Sequence, residues 1–268
     1  MSGEKLLYCA QIVKEQDPDR FLLAMMMPTQ YRDDLIVLFA FYHEIAKTRE
    51  VVTETRLGQI RLKWWQEAIR EIYNSGKVLQ HEVLQALAGV IERRGLEYQD
   101  FETLIFAREF DLEDVLPGNL EGLVNYCDFT LSPLFRLVLQ IMGETPENDM
   151  VQAVAVNYAI IGLMRAVPFH ASQRRCYLPE DLLARHGQSL NQLYEMKPSD
   201  DLPEIVREVL SVFEKNIKPH NKFLKASQQL SCLYESQLRS AHFDPFAKKM
   251  ALPPPFKVLR LVFSYKFL

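Results

Sequence analysis

An all-α fold is what this sequence predicts, and three observations predict it. Glycine is scarce, 10 in 268 residues, whereas a strand-and-turn architecture needs glycine-rich turns every few residues. Apolar residues recur at helical spacing along most of the chain. The separators between these stretches are short: Gly95, Pro117-Gly118, Gly143 to Pro146, Pro198 to Pro203 and Pro253-Pro254-Pro255. None has the length or composition of a flexible interdomain linker. The expected architecture is a single-domain bundle of eight or more helices with a central pocket over residues 1–245, followed by a basic aromatic tail, 246–268.

Taken in order, Leu35, Leu38, Phe39, Tyr42 and Ile45 form an apolar stripe at i, i+3, i+4, i+7 and i+10. A second stretch, Arg56 to Tyr73, places Leu57, Ile60, Trp64, Ala68 and Ile72 on one face, and Gly76 stands where a C-cap belongs. Trp64, Trp65, Phe39 and Phe41 read as core aromatics rather than the lining of an apolar ligand pocket. Further helices are expected over 80–94, 98–112, 119–142, 147–166, 180–186, 203–216 and 218–240. The segment 151–166 is apolar nearly all round, which suits the centre of a bundle. Gly162 within it offers room for a neighbouring backbone or a ligand.

Bulk properties exclude several function classes. A net charge of −4 gives no footprint for nucleic acid. Cys9, Cys127, Cys176 and Cys232 are far apart and lack ligand spacing, so they read as reduced thiols. The charged N-terminus reads as neither a signal nor a transit peptide, and no run of eighteen apolar residues occurs. The tail differs from the body. Beyond Asp244 stand Lys248, Lys249, Lys257, Arg260 and Lys266 with no acid, leaving 26 basic against 35 acidic residues elsewhere. Phe246, Phe256, Phe263, Tyr265 and Phe267 are interleaved with them. Such a tail suits an anionic membrane surface; equally, it suits a last helix packed on the bundle with its lysines in solvent.

Three segments carry a resemblance: MPTQYRDDLIVLFAFYHEIAKTRE (27–50), NYCDFTLSPLFRLVLQIMG (125–143) and GLMRAVPFHASQRRCYLPEDLLARHG (162–187). The first resembles the squalene/phytoene synthase segment in which a proline, an arginine and an apolar helix lead into DxxxD. The second resembles that family's tyrosine-containing central helix. The third resembles the family's second aspartate motif, with Arg165, Arg175, Tyr177, Leu178 and Pro179 at the expected places. The resemblance covers residues 5–240 and implies an isoprenoid-synthase-type bundle. In working members, paired aspartates hold Mg²⁺, which binds the diphosphate of the substrate.

Those aspartates are replaced here. The first motif reads Ala46, Lys47 and Glu50, and His43 stands in place of a diphosphate-contacting arginine. The second motif reads Ala166 and His170, and Pro168 should break the helix there. Glu44 lies nearby, about 120° from Glu50 if the helix is continuous. Asp33-Asp34 precedes the motif and reads as solvated. Lys47, Arg49, Arg165, His170, Arg174 and Arg175 make the region cationic, able to attract a phosphate directly but hostile to Mg²⁺. No cofactor is therefore expected.

One branch of the family, the complex I assembly factors, resembles this chain in Glu44-Ile45-Ala46 and in Arg165-Ala166-Val167-Pro168-Phe169-His170. This resemblance implies a non-catalytic assembly or scaffold role with subunits of a membrane respiratory complex as partners. The location it implies is peripheral, at the inner membrane face of a bacterium, or mitochondrial if the chain is a processed form. Two alternatives stand beside it: a head-to-head prenyl transferase, with His170 as the candidate catalytic group, and a metal-independent binder of a prenyl phosphate or lipid. The candidate ligand-binding residues are Arg32, His43, Lys47, Glu50, Arg165, His170, Arg175 and Tyr177.

Overall fold

The structure, a computed structural model, describes residues 3–52 and 54–267, with no side chain beyond residue 263. Every regular element among the described residues is a helix. The chain forms two compact units: Met1–Glu113 with Phe129–Asn148, and Asp114–Asp128 with Asp149–Leu268.

The first unit contains α1 (Gly3–Gln16), α2 (Pro18–Met26), α3 (Thr29–Ala46), α4 (Thr48–Val51), α5 (Thr55–Ser75), α6 (Glu82–Arg94) and α7 (Tyr98–Ala107). Helix α8 (Leu120–Ile141) divides between the units after Asp128. Local chemistry sets the boundaries. Asp17 caps α2 by accepting from the Arg20 amide, with Pro18 at the first turn, where its missing N–H costs nothing. Gly76 ends α5 at φ 68°, in the left-handed region that glycine enters without a Cβ penalty. Helix α3 is the core of this unit, buried from Asp34 to Tyr42 and again at Glu44 and Ile45. It packs against α1, α2 and α6. Phe41 meets the edges of Trp65 and Phe101 at centroid distances of 5.5 and 5.4 Å, a T-shaped geometry that favours the ring quadrupoles.

The second unit contains α9 (Asn148–Arg165), α10 (Val167–Ser172), α11 (Glu180–Arg185), α12 (Leu190–Tyr194), α13 (Leu202–Val209), α14 (Lys222–Ser240) and α15 (Lys257–Phe267). Helix α9 is buried on several faces, at Val154 to Asn157 and again at Ile160, Ile161 and Met164. The break before α10 falls at Ala166, with Pro168 inside the first turn of the new helix.

Several expectations need correction. The buried face of α5 is Gly58, Leu62, Trp65, Ala68 and Ile69, while Leu57 and Ile60 face solvent. Gly58 lies on this face, where an added Cβ would sit 2.5 Å from Leu112 Cδ2, so a larger residue would have to displace that side chain. No neighbouring backbone approaches Gly162, since nothing lies within 4 Å of where its Cβ would be. Asp34 is buried rather than solvated, because Arg93 and Arg94 reach its two oxygens at 2.6 and 2.7 Å. The helix expected over 98–112 tightens after Ala107 into a 3-10 turn, Phe110–Leu112, with the Arg108 amide bonding to Ile105 three residues back. The stretch 203–216 likewise ends as a 3-10 turn at Val212. The N-terminal helices α1 and α2 escaped the periodicity reading, and α1 buries only Cys9 and Val13. In the tail, α15 packs on α14 through Leu261. Tyr265, Lys266 and Phe267 of that reading lie outside the described side chains.

Candidate functional site

The first unit places the first-motif residues at the end of α3. The helix does not continue through them: α3 stops at Ala46, Lys47 forms the junction, and α4 starts at Thr48. The 120° offset between Glu44 and Glu50 therefore does not apply. Glu44 points inward and is 3% exposed. Lys47 Nζ donates to its Oε1 at 2.6 Å, and Arg61 Nη2 from α5 donates to its Oε2 at 2.8 Å. A buried carboxylate requires such compensation, and here both oxygens hold a cation.

Beside this cluster lies a cleft of about 460 Å³ lined by His43, Lys47 and Glu50, with Tyr8, Gln11 and Glu15 from α1 opposite them. Burial holds His43 below its ordinary value of 6.5, and the Lys47 ammonium adds to the effect. Burial likewise raises the Tyr8 phenol, reinforced by the Glu44 charge. Three of the four first-motif candidates thus share one cleft. Arg32 does not: its Nε donates to the Met27 carbonyl at 2.8 Å, tying down the turn between α2 and α3.

The second unit treats its motif differently. The Arg165 guanidinium lies over the Tyr234 ring, 3.2 Å from the centroid, on which the Lys257 ammonium also sits at 5.8 Å. His170 meets the Tyr177 ring edge-on at 4.7 Å, and Tyr177 stacks on Tyr126 at 5.3 Å. Arg174 adopts φ 54°, which turns the chain back so that the Arg175 amide reaches the His170 carbonyl at 2.9 Å. His170, Arg175 and Tyr177 line a cavity of only about 10 Å³, room for at most one water. Burial pushes the neighbouring Cys176 thiol up to about 11, which suppresses its thiolate. Among the described residues, no group of three or more His, Cys, Asp or Glu side chains clusters as a metal site requires.

The squalene/phytoene synthase family matches residues 13–232, most of the chain. The chain belongs to that family. Its fold agrees: a dehydrosqualene synthase crystal structure superposes with a TM-score of 0.78 over 97% of this chain and 95% of its own, at 16% identity. A squalene synthase from Alicyclobacillus acidocaldarius gives 0.73 over 91% and 96%, at 18% identity. Among named relatives, human NADH dehydrogenase (ubiquinone) complex I, assembly factor 6 is 24% identical over 91% of this chain and 73% of its own length. Tomato chloroplastic phytoene synthase 2 is 22% identical over 96% of this chain and 88% of its own.

Within the family frame, two functional partners escaped the sequence. Arg61 is seventeen residues from Glu44, and nothing in its spacing announces the pairing. Tyr234, the platform for Arg165, is farther still. The Glu44–Lys47 pair, by contrast, was open to inspection, because residues three apart on a helix are neighbours.

Proposed function

We propose that this chain is a non-catalytic member of the squalene/phytoene synthase family that acts as an assembly factor for a membrane respiratory complex of the complex I type. The observation that carries the reading is the closed state of Glu44. A Mg²⁺ ion requires several oxygen ligands in octahedral geometry, and Glu44, the carboxylate beside the first motif, gives both oxygens to Lys47 and Arg61. Of the motif positions, one keeps a carboxylate, Glu50 on the cleft, while the others hold Ala46, Lys47, Ala166 and His170. These residues do not fit the metal, so diphosphate ionisation has no ion to drive it. His170, the candidate general acid, packs against the Tyr177 ring and lines a cavity of about 10 Å³, room for at most one water.

The name of the human relative supports the assembly role. The basic tail supports a peripheral site of action at the membrane: the inner face in a bacterium, or within mitochondria. No described helix is long and apolar enough to cross a membrane. A prenyl-phosphate carrier is less favoured, because Glu15 and Glu50 line the same cleft as Lys47 and would repel a diphosphate.

Calorimetric titration with farnesyl diphosphate, with and without Mg²⁺, tests the metal claim, and a pyrophosphate-release assay tests catalysis. The expected result is no turnover and no Mg²⁺-dependent gain in affinity. Binding that sharpens with Mg²⁺ would revive the transferase. The assembly role predicts that cells lacking the chain accumulate less complete complex I, measured by native electrophoresis; unchanged levels would sink it.

A further inference from the structure

The second unit contains a recess of about 470 Å³ that none of the motif residues lines. Its polar wall is Lys215, Lys218, His220 and Lys225, and no aspartate or glutamate lines it. Lys215 leans toward Glu235 at 4.0 Å, whose nearer partner is Arg239 at 2.6 Å. The recess thus holds a concentration of positive charge in a body that is acidic overall. The segment that bears it is anchored rather than loose. Buried Asn157 of α9 accepts from the Glu214 amide at 3.0 Å and donates to the Glu214 carbonyl at 2.8 Å. Gln228 of α14 donates to that same carbonyl at 2.8 Å. The lysines therefore extend from a fixed base, which reduces the ordering cost of gathering them around an anion.

The apolar wall is made in part by Leu261 of α15. That residue is buried, yet its helix and the turn before it leave Phe256, Val258, Leu259 and Phe263 exposed, Phe256 by 75%. A cationic recess joined to a helix with exposed aromatic and aliphatic side chains matches the two-part chemistry of a lipid monolayer, charged headgroup above and acyl chain below. We propose that this recess is a headgroup site for an anionic phospholipid, its phosphate held by Lys215, Lys218 and Lys225 while α15 lies in the interface. The proposal rests on the membrane-peripheral reading given above and adds to it a specific site, separate from both family motifs.

The test is co-sedimentation of the full chain with vesicles of phosphatidylcholine alone and of phosphatidylcholine mixed with phosphatidylglycerol. Cys232, which lines the recess, reports occupancy through its labelling rate with a thiol reagent. The expected result is sedimentation with the anionic vesicles and slower Cys232 labelling in their presence. A Lys218→Gln/Lys225→Gln variant should partition roughly 30-fold more weakly, about fivefold per lysine. Lys248→Gln/Lys249→Gln, which changes only the tail outside the recess, should leave Cys232 protection intact on vesicles that still bind. If the recess variant binds and protects like the native chain, the site is wrong while tail docking survives. If the native chain ignores anionic vesicles, the membrane reading falls with it. Protection of Cys232 by inorganic phosphate as strong as that by vesicles would assign the recess to a free phosphate and overturn the lipid assignment.

Discussion

Residues 43–50 and residues 165–177 stand where the family's two aspartate motifs belong, and they have been refilled by different physics. In the first, Glu50 keeps a carboxylate at a motif position, and the adjacent buried Glu44 takes its countercharge from Lys47 and Arg61. In the second, no carboxylate remains at the motif positions, and the cationic and imidazole groups rest on aromatic faces: Arg165 on Tyr234, His170 on Tyr177. The first region lines a cleft of about 460 Å³, whereas His170, Arg175 and Tyr177 of the second line a cavity of about 10 Å³. The lesson is that the leftover charge decides how a replaced metal motif is refilled. A buried acid cannot stand alone and recruits cations. In the second region the Arg165 guanidinium also gains attraction from a π face, that of Tyr234.

The largest expected effect attacks the first region. Lys47→Ala combined with Arg61→Ala leaves Glu44 buried without a countercharge and should cost about 3–5 kcal/mol in urea unfolding. A loss below about 1 kcal/mol would mean that water reaches Glu44, and the contrast between the regions would shrink. Next comes the second region, probed by Tyr234→Leu. This variant keeps an apolar side chain, though a smaller one, and removes the ring beneath Arg165 and Lys257, so about 2 kcal/mol or more should be lost. If Tyr234→Leu is neutral, the aromatic faces act only as filler. His170→Leu should cost less, about 0.5–1.5 kcal/mol for one edge-to-face contact, and catalysis should be absent before and after. A pyrophosphate-release signal that vanished with this substitution would return His170 to a catalytic role.

How much of this was legible in the sequence depends on whether the cause was local. The all-α fold was legible, since glycine scarcity and helical spacing are properties of the chain itself. So were the break near Pro168 and the cap at Gly76, each set by one residue's backbone chemistry. The face of α5 was not. Leu57 and Ile60 outrank Gly58 on any hydrophobic scale, yet the glycine faces inward, against Leu112, fifty-four residues on. Asp34 failed for the same reason: its partners Arg93 and Arg94 arrive from α6. At the candidate site, the replaced aspartates were plain in the sequence. The identity of what neutralises Glu44 was only half plain, since Lys47 is a neighbour on the helix and Arg61 is not.

The smallest expected effect concerns pH, and it separates the two regions from a different direction. His43 sits in the open cleft with Lys47, Glu44, Asp17 and Arg20 around it, and burial is the main cause of its lowered pKa. His81, packed 5.0 Å from the Trp65 ring, is lowered for the same reason. In both, the native state prefers neutral imidazole, so near pH 6 the unfolded chain binds more protons than the folded one. Stability is then fully present above the unfolded value of about 6.5 and declines as pH falls from there toward the lower native values. Unfolding midpoints measured between neutral and mildly acidic pH should show this decline, and His43→Gln should flatten part of it while leaving the share of His81. A slope unchanged by His43→Gln would mean that the cleft hydrates His43 fully. The first region would then differ from the second in shape alone, and not in the polarity its open cleft presents to a charge.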